Sequence, residues 1–359
     1  MAVIGYLPGW SLYLHGDPLA WVLERDNPSA RYLALTQLLG RSVEDLEVSE
    51  AQAAIVESPP ARDILEAQYP QGYWVKPDRG YSPKYRATIW QVLFLAELGS
   101  PRVRAIEQAC EHVLGQAYLE DLGLFSAHKG ASGVIPCLNG NLLWALRWFG
   151  YGQHPVVRRV NEQLAEAVLP VLWRPGTGRE GFRCRYNAQA RGDRRSWLPC
   201  AWGAIKVLRA FAAIPAPQRS PKVEAAIQGG VEFLLDYDLA VAGYPNARGI
   251  SRCWFQLGFP LAYESDILEG LELLAGLGRG GDPRLHGATK WLLDKQDEEG
   301  RWPLERTLSR TWASFGGCGE PSKWVTLRAL RTLAGIDPSV WVPALCPAAS
   351  KAVAEEKGP

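Results

Sequence analysis

Three of the seven cysteines stand where side chains could meet. Cys137 opens the stretch "PCLNGNLLWAL", Cys200 opens "PCAWGAIKVL", and Cys184 ends a "GFRC" loop between them. Thiols at the starts of two consecutive apolar helices can converge on one point. A trio of thiolates is a zinc-like ligand set that needs a fourth donor. The spacing is not C-x-x-C, so each thiol also reads as a small buried apolar side chain. Asp266, in "YESDILEGL" near the start of another apolar helix, is the candidate fourth ligand. It is equally a candidate catalytic acid, or a carboxylate that only favours a helix N-terminus. Cys253 and Cys318 are weaker metal candidates, and Cys110 and Cys346 read as structural.

Other chemistry-bearing residues recur at the same kind of place. Lys84 and Arg86 in "SPKYRAT", Arg310 in "LSRTW" and Lys323 in "EPSKW" precede or open apolar helices. There they could bind a diphosphate, or pair with nearby acids and sit in solvent. Tyr85, Trp90, Trp202, Phe255, Tyr263 and Trp324 could line an apolar cavity, or pack between helices. The chain carries 15 Trp and only one Met, so aromatic rings are its main large apolar groups.

The elements that must hold these residues are punctuated by proline. A capping residue followed by proline recurs at Asn27-Pro28, Ser58-Pro59, Ser100-Pro101, His154-Pro155, Ser220-Pro221, Asp282-Pro283 and Asp337-Pro338. Ser, Asn and Asp satisfy the free N–H groups of a first turn, and proline has no N–H to lose there. Each pair therefore predicts a helix start. A helix such as "PKVEAAIQGGVEFLL" is followed by a glycine-aromatic loop ("GYW", "GLF", "GF", "GY", "GRW") and then a second, more apolar helix. A helix apolar nearly all round is buried, and one with a single stripe lies at the surface. The pattern predicts an all-α fold, a closed ring of about five to six helical hairpins with inner and outer layers, an open solenoid being the alternative.

The 359 residues are 47% apolar and carry a net charge of +1, which gives no global argument for nucleic acid or an anionic membrane. An odd cysteine count without a dense framework argues against a disulfide-stapled domain. No stretch is long enough for a membrane span and the start lacks a cationic leader, so a soluble, cytoplasmic protein is expected. The expected divisions are an N-terminal extension over 1–27, the helical domain over 28–335 and a tail over 336–359.

Two segments carry a family resemblance. "GATKWLLDKQDEEGRW" has Trp291-Leu292, then Gln296, then Gly300-Arg301-Trp302. "ILEAQYPQGYW" keeps the Gln-to-Trp spacing with Gln68 and Gly72-Tyr73-Trp74. This resembles the QW repeat of the squalene–hopene and oxidosqualene cyclases, with His286 where the family has a basic residue. The resemblance to the terpenoid cyclase and protein prenyltransferase superfamily covers about residues 28–335, and it implies an α/α toroid. It implies a ligand mouth at the N-terminal ends of the inner helices and an isoprenoid or other apolar small molecule in a central cavity. Lys84, Tyr85, Trp90, Trp202, Tyr263, Arg310 and Lys323 are then the candidate substrate-binding residues. Prenyltransferases hold a zinc with Asp, Cys and His, whereas the ligands here would be Cys137, Cys184, Cys200 and Asp266. Neither DxDD nor DDxxD occurs. The expected function is a prenyltransferase-like or squalene cyclase-like enzyme with bound zinc. The alternatives are a non-catalytic toroid that binds a lipid or protein partner, and a class II cyclase with a divergent acid motif. Asp297, Glu298 and Glu299 read as a solvated loop.

Overall fold

The computed structural model describes residues 13–170, 181–189, 195 and 197–336. Cys346, the Asp337-Pro338 pair and the ends of both terminal segments lie outside the described residues. Helix dominates, and no helix among the described residues is long and apolar enough to cross a membrane.

The helices alternate as the burial pattern demands. Helices α1 (Pro28–Leu33), α3 (Thr88–Glu97), α5 (Pro136–Trp148), α7 (Ala201–Ala212), α9 (Ile267–Leu274) and α11 (Lys323–Ala334) form an inner set. Between them in sequence run α2 (Leu46–Glu57), α4 (Arg104–Gln116), α6 (Pro155–Val168), α8 (Pro221–Leu235) and α10 (His286–Leu293). Helix α3 is buried from Thr88 through Ala96, whereas α4 and α6 bury one stripe each. Apolar faces on all sides require partners on all sides.

Contacts along the inner set run in cyclic order. Helix α3 packs on α5, α5 on α7, α7 on α9, α9 on α11, and α11 on α1. Ser29 of α1 completes the circuit: its hydroxyl donates to Leu98 O at 2.7 Å after α3 and accepts from Trp324 Nε1 of α11 at 3.0 Å. Helices α5 and α7 approach closely because Gly140 has no side chain. A Cβ there would lie 2.5 Å from the backbone carbonyl of Lys206.

Four of the proline-marked starts behave as expected. Asn27, His154, Ser220 and Asp282 each accept a backbone N–H of the first turn. Two do not. Ser58 ends α2, and the next helical turn begins at Ala61 after Pro60. Ser100 is buried in the turn after α3, so α4 starts at Arg104 instead.

The two Gln-x-x-x-Gly-x-Trp segments bond alike at the tryptophan and differ at the glutamine. Trp302 Nε1 donates to Leu292 O at 2.7 Å, and Trp74 Nε1 to Ile64 O at 2.8 Å. Their backbone N–H groups donate to Thr326 Oγ1 at 2.9 Å and Thr88 Oγ1 at 3.1 Å, in the first turns of α11 and α3. Gln68 Nε2 reaches forward to Ala105 O of α4 at 2.9 Å. Gln296 instead reaches the N-terminal segment: it donates to Tyr13 O at 3.0 Å and accepts from His15 N at 2.9 Å. The last repeat is thereby tied to the start of the chain. Both indoles are fully buried. Trp302→Ala should therefore lower stability by about 3–5 kcal/mol, the usual loss for a buried aromatic. A urea midpoint unchanged from the parent would contradict the fastener role.

Candidate functional site, a cavity of thiols and aromatic rings

A cavity of about 540 Å3 opens at the N-terminal ends of α3, α5 and α7. Small-molecule sites occupy about 300–1,000 Å3. One wall is aromatic. The Tyr81 and Trp90 rings stand 5.2 Å apart, Trp90 and Tyr263 6.3 Å, and Trp202 and Tyr263 6.1 Å, all between centroids. Tyr85 does not border the space. It stacks behind Tyr263 at 6.4 Å. The Lys84 ammonium lies 4.2 Å above the Tyr263 ring centre, a cation on an aromatic face.

Local backbone chemistry fixes this wall. Ala262 has φ 51°, a left-handed value that costs a non-glycine residue strain. Its carbonyl accepts from Asn141 Nδ2 of α5 at 2.8 Å, which locks the neighbouring Tyr263 in place. Trp90 Nε1 donates to Tyr81 O at 2.8 Å. Burial raises the Tyr81 and Tyr85 phenols, so both stay neutral donors.

The opposite wall is a short sheet. Strands β1 (Tyr118–Leu119) and β2 (Leu124–Phe125) form a separate hairpin, and β3 (Arg183–Ala188) pairs antiparallel with β4 (Trp197–Pro199) at the cavity. Asn187 ties this sheet to the 245–247 loop. Its Nδ2 donates to Pro199 O at 2.7 Å and Pro245 O at 2.8 Å, and its Oδ1 accepts from Ala247 N at 3.0 Å. That loop brings Asn246, Arg248 and Ser251 to the cavity, where they are exposed, as Lys84 is.

Cys137, Cys184 and Cys200 all border the cavity. The neighbouring Cys200 holds the Cys184 thiol below the usual thiol range against its burial, and the backbone N–H groups of Tyr186 and Asn187 and the Arg185 charge add to the effect. Cys200 is pushed up in return, first by Cys184 and then by burial. Burial pushes the Cys137 thiol up to about 12. Of the two, Cys184 is therefore the thiol that loses its proton more readily, and Cys137 keeps its own.

Among the described residues no three His, Cys, Asp or Glu side chains form a metal-ligating group. Asp266 is not with the thiols. It is fully buried as the N-cap of α9, where its carboxylate accepts Glu269 N at 2.8 Å and Gly258 N at 3.0 Å and faces Arg328 at 3.5 Å. Burial, opposed by Arg328, raises its pKa, but the carboxylate does not border the cavity and its oxygens are engaged by these partners. It is a capping group, neither a fourth ligand nor an acid in reach of a ligand there.

Two further candidates fall elsewhere. Lys323 pairs with Glu24 and Asp26 and sits over Trp21, on the side facing the N-terminal segment. Arg310 is exposed with φ 62° on the long connection between α10 and α11. Among the residues that sequence reasoning missed are Tyr81, Asn141, Tyr186, Asn187 and Arg248. Tyr81 stands beside the "SPKYR" motif and Asn141 one turn past Cys137, so both had a positional signal. Arg248 sits in an aperiodic loop and had none.

A second cavity of about 290 Å3 lies at the C-terminal ends of the inner helices. Its charges answer one another: Arg209 pairs with Glu97 at 2.8 Å, and Arg328 with Glu272 at 3.2 Å. A pocket whose cations and carboxylates already pair offers less to a ligand than the thiol cavity does.

No protein-family model matches the chain, and no curated protein matches it. Among solved structures, the type II terpene cyclase MstE from Scytonema aligns over 86% of this chain and 87% of that one, at 15% identity and TM-score 0.40. A protein from Actinoplanes aligns over 79% and 99%, at 15% identity and TM-score 0.32. A variant of the Scytonema enzyme in complex with its substrate, geranylgeranyl dihydroxybenzoate, aligns over 80% and 96%, at 12% identity and TM-score 0.28. Likenesses at these TM-scores carry no weight for this chain's chemistry, which rests on its own residues.

Proposed function

We propose that the helices form an α/α toroid of the terpenoid cyclase-like kind, and that its thiol-lined cavity binds an isoprenoid with an anionic head group. The observation that supports this is the joined wall of Tyr81, Trp90, Tyr263 and Trp202 facing a space of about 540 Å3. Rings accept a branched apolar chain without demanding hydrogen bonds, and their faces favour positive charge. Lys84 and Arg248 at the rim would take a diphosphate or similar anion.

Prenyl transfer fits this site better than cyclisation begun by protonation. Among the described residues no Asp or Glu borders the cavity, whereas three thiols do. In this reading Cys184, whose thiolate Cys200 favours, takes the proton of an acceptor hydroxyl or thiol as the acceptor attacks the allylic carbon, the C–O bond breaks and diphosphate leaves. No step in this reading uses zinc. The same lack of a bordering carboxylate favours a second reading, a toroid that retains an apolar ligand without converting it.

Incubation of the purified protein with farnesyl or geranylgeranyl diphosphate, alone and with small phenol or thiol acceptors, separates the two. Release of diphosphate with a new prenylated product supports transfer. Stoichiometric retention of unreacted ligand supports the binder, and neither binding nor release sinks both.

A further inference from the structure

Strand β4 runs straight into Cys200, and β3 carries Cys184 on the facing side. Cys184 pairs in register with Leu198, and Cys200 N donates to Phe182 O at 3.0 Å, so the two cysteines stand as diagonal neighbours across the strand pair. Both side chains border the cavity. Both are free thiols, as is Cys137 on the same cavity.

We propose that Cys184 and Cys200 form an oxidisable dithiol, in which Cys184 is attacked by a hydroperoxide entering the cavity and Cys200 resolves it as a disulfide. In the first step the Cys184 thiolate attacks the distal peroxide oxygen. An S–O bond forms and the O–O bond breaks. Sulfur loses two electrons, and the departing alkoxide or hydroxide takes a solvent proton. In the second step the Cys200 sulfur attacks the sulfenic acid. The S–S bond forms, the S–O bond breaks, and the hydroxyl leaves as water with the Cys200 proton.

Each residue suits its part. The thiolate is the reactive form, and the Cys200 S–H with Arg185 stabilises it on Cys184. Cys200 retains its proton until the sulfenic acid draws it in. Cys137 keeps its proton and is the internal control. The product would tie β3 to the residue before α7 and remove both thiols from the cavity wall, whatever ligand the cavity holds.

The test uses the reduced full chain, titrated with hydrogen peroxide and followed by intact mass and peptide mapping. The expected product is lighter by two hydrogens, with one crosslink joining the Cys184 and Cys200 peptides. Cys184, lowered to about 7, should react roughly five- to tenfold faster than an unperturbed thiol, because its larger thiolate fraction outweighs its lower nucleophilicity. In Cys200→Ser, Cys184 should stop at a sulfenic acid that dimedone traps, and Cys137→Ser should leave the crosslink intact. Circular dichroism checks the fold of each variant. Oxidation of exposed Cys318 ahead of Cys184, or a crosslink through Cys137, would overturn the assignment.

Discussion

Lys206→Ala is expected to lower stability by about 3–5 kcal/mol, as much as the loss of the buried Trp302 indole. Lys206 has no exposed surface. Its ammonium lies 2.7 and 2.8 Å from the two carboxylate oxygens of Glu269, which is itself buried. Burial works to raise the Glu269 pKa, yet Lys206, Arg209 and Arg328 together hold it below the ordinary carboxylate range. With the ammonium gone, the closest remaining cation is Arg209 at 3.6 Å. The carboxylate must then stay charged in a dry interior or take up a proton.

The pH dependence gives the sign. In the parent, the lowered Glu269 pKa contributes stability that is present above the unfolded carboxylate pKa and lost as pH falls through the folded value. In Lys206→Ala burial dominates, the pKa rises, and mild acid should recover part of the loss. Urea midpoints at neutral and mildly acidic pH read this directly. The double replacement Lys206→Met with Glu269→Leu should be far milder than the single one, since removing both charges leaves neither stranded. A single variant no weaker than the double would contradict the account.

The second large effect is on ligand binding. Tyr263 is the ring through which the cavity wall is joined: it meets Trp90, Trp202 and Tyr85, and it carries the Lys84 ammonium. Tyr263→Ala removes the shared surface and frees Lys84. Central aromatic anchors are worth about 2 kcal/mol or more on truncation, so isoprenoid affinity should fall at least ~30-fold. Tyr263→Phe keeps the ring face and should stay within about fivefold, because a neutral hydrogen bond contributes about 1 kcal/mol. Calorimetric titration with geranylgeranyl diphosphate distinguishes them. Equal losses in both variants would show that the hydroxyl, not the ring, is what matters.

Much of this was legible in the sequence because helix starts and buried faces leave local marks. Asn27, His154 and Ser220 announce their helices, and the apolar runs after Thr88, Pro136 and Ala201 mark the inner set. Cys137 and Cys200 were legible for the same reason, since first-turn residues of inner helices border the mouth. Asp266 is an N-cap as Cys200 is, but its carboxylate accepts the free N–H of Glu269 and turns back onto its own helix, whereas the Cys200 thiol makes no such bond. Lys323 opens an inner helix too, yet the N-terminal segment supplies Glu24 and Asp26 across nearly the whole chain length, a contact no local pattern encodes. The Lys206–Glu269 pair was equally silent. Each residue reads as a polar break in an apolar helix, and only packing of α7 on α9 joins them.

The central claim is that an isoprenoid occupies the thiol and aromatic cavity rather than the paired-charge pocket at the other end of the helices. A geranylgeranyl diphosphate analogue with a photoreactive group on its chain, irradiated on the full-length protein and mapped by peptide mass spectrometry, tests it most directly. Label on the peptides carrying Cys137, Trp202 and Tyr263, competed by unmodified ligand, is the predicted result. Label on Trp144, Trp148 and Trp324 of the lower pocket, or none that competes, would contradict it.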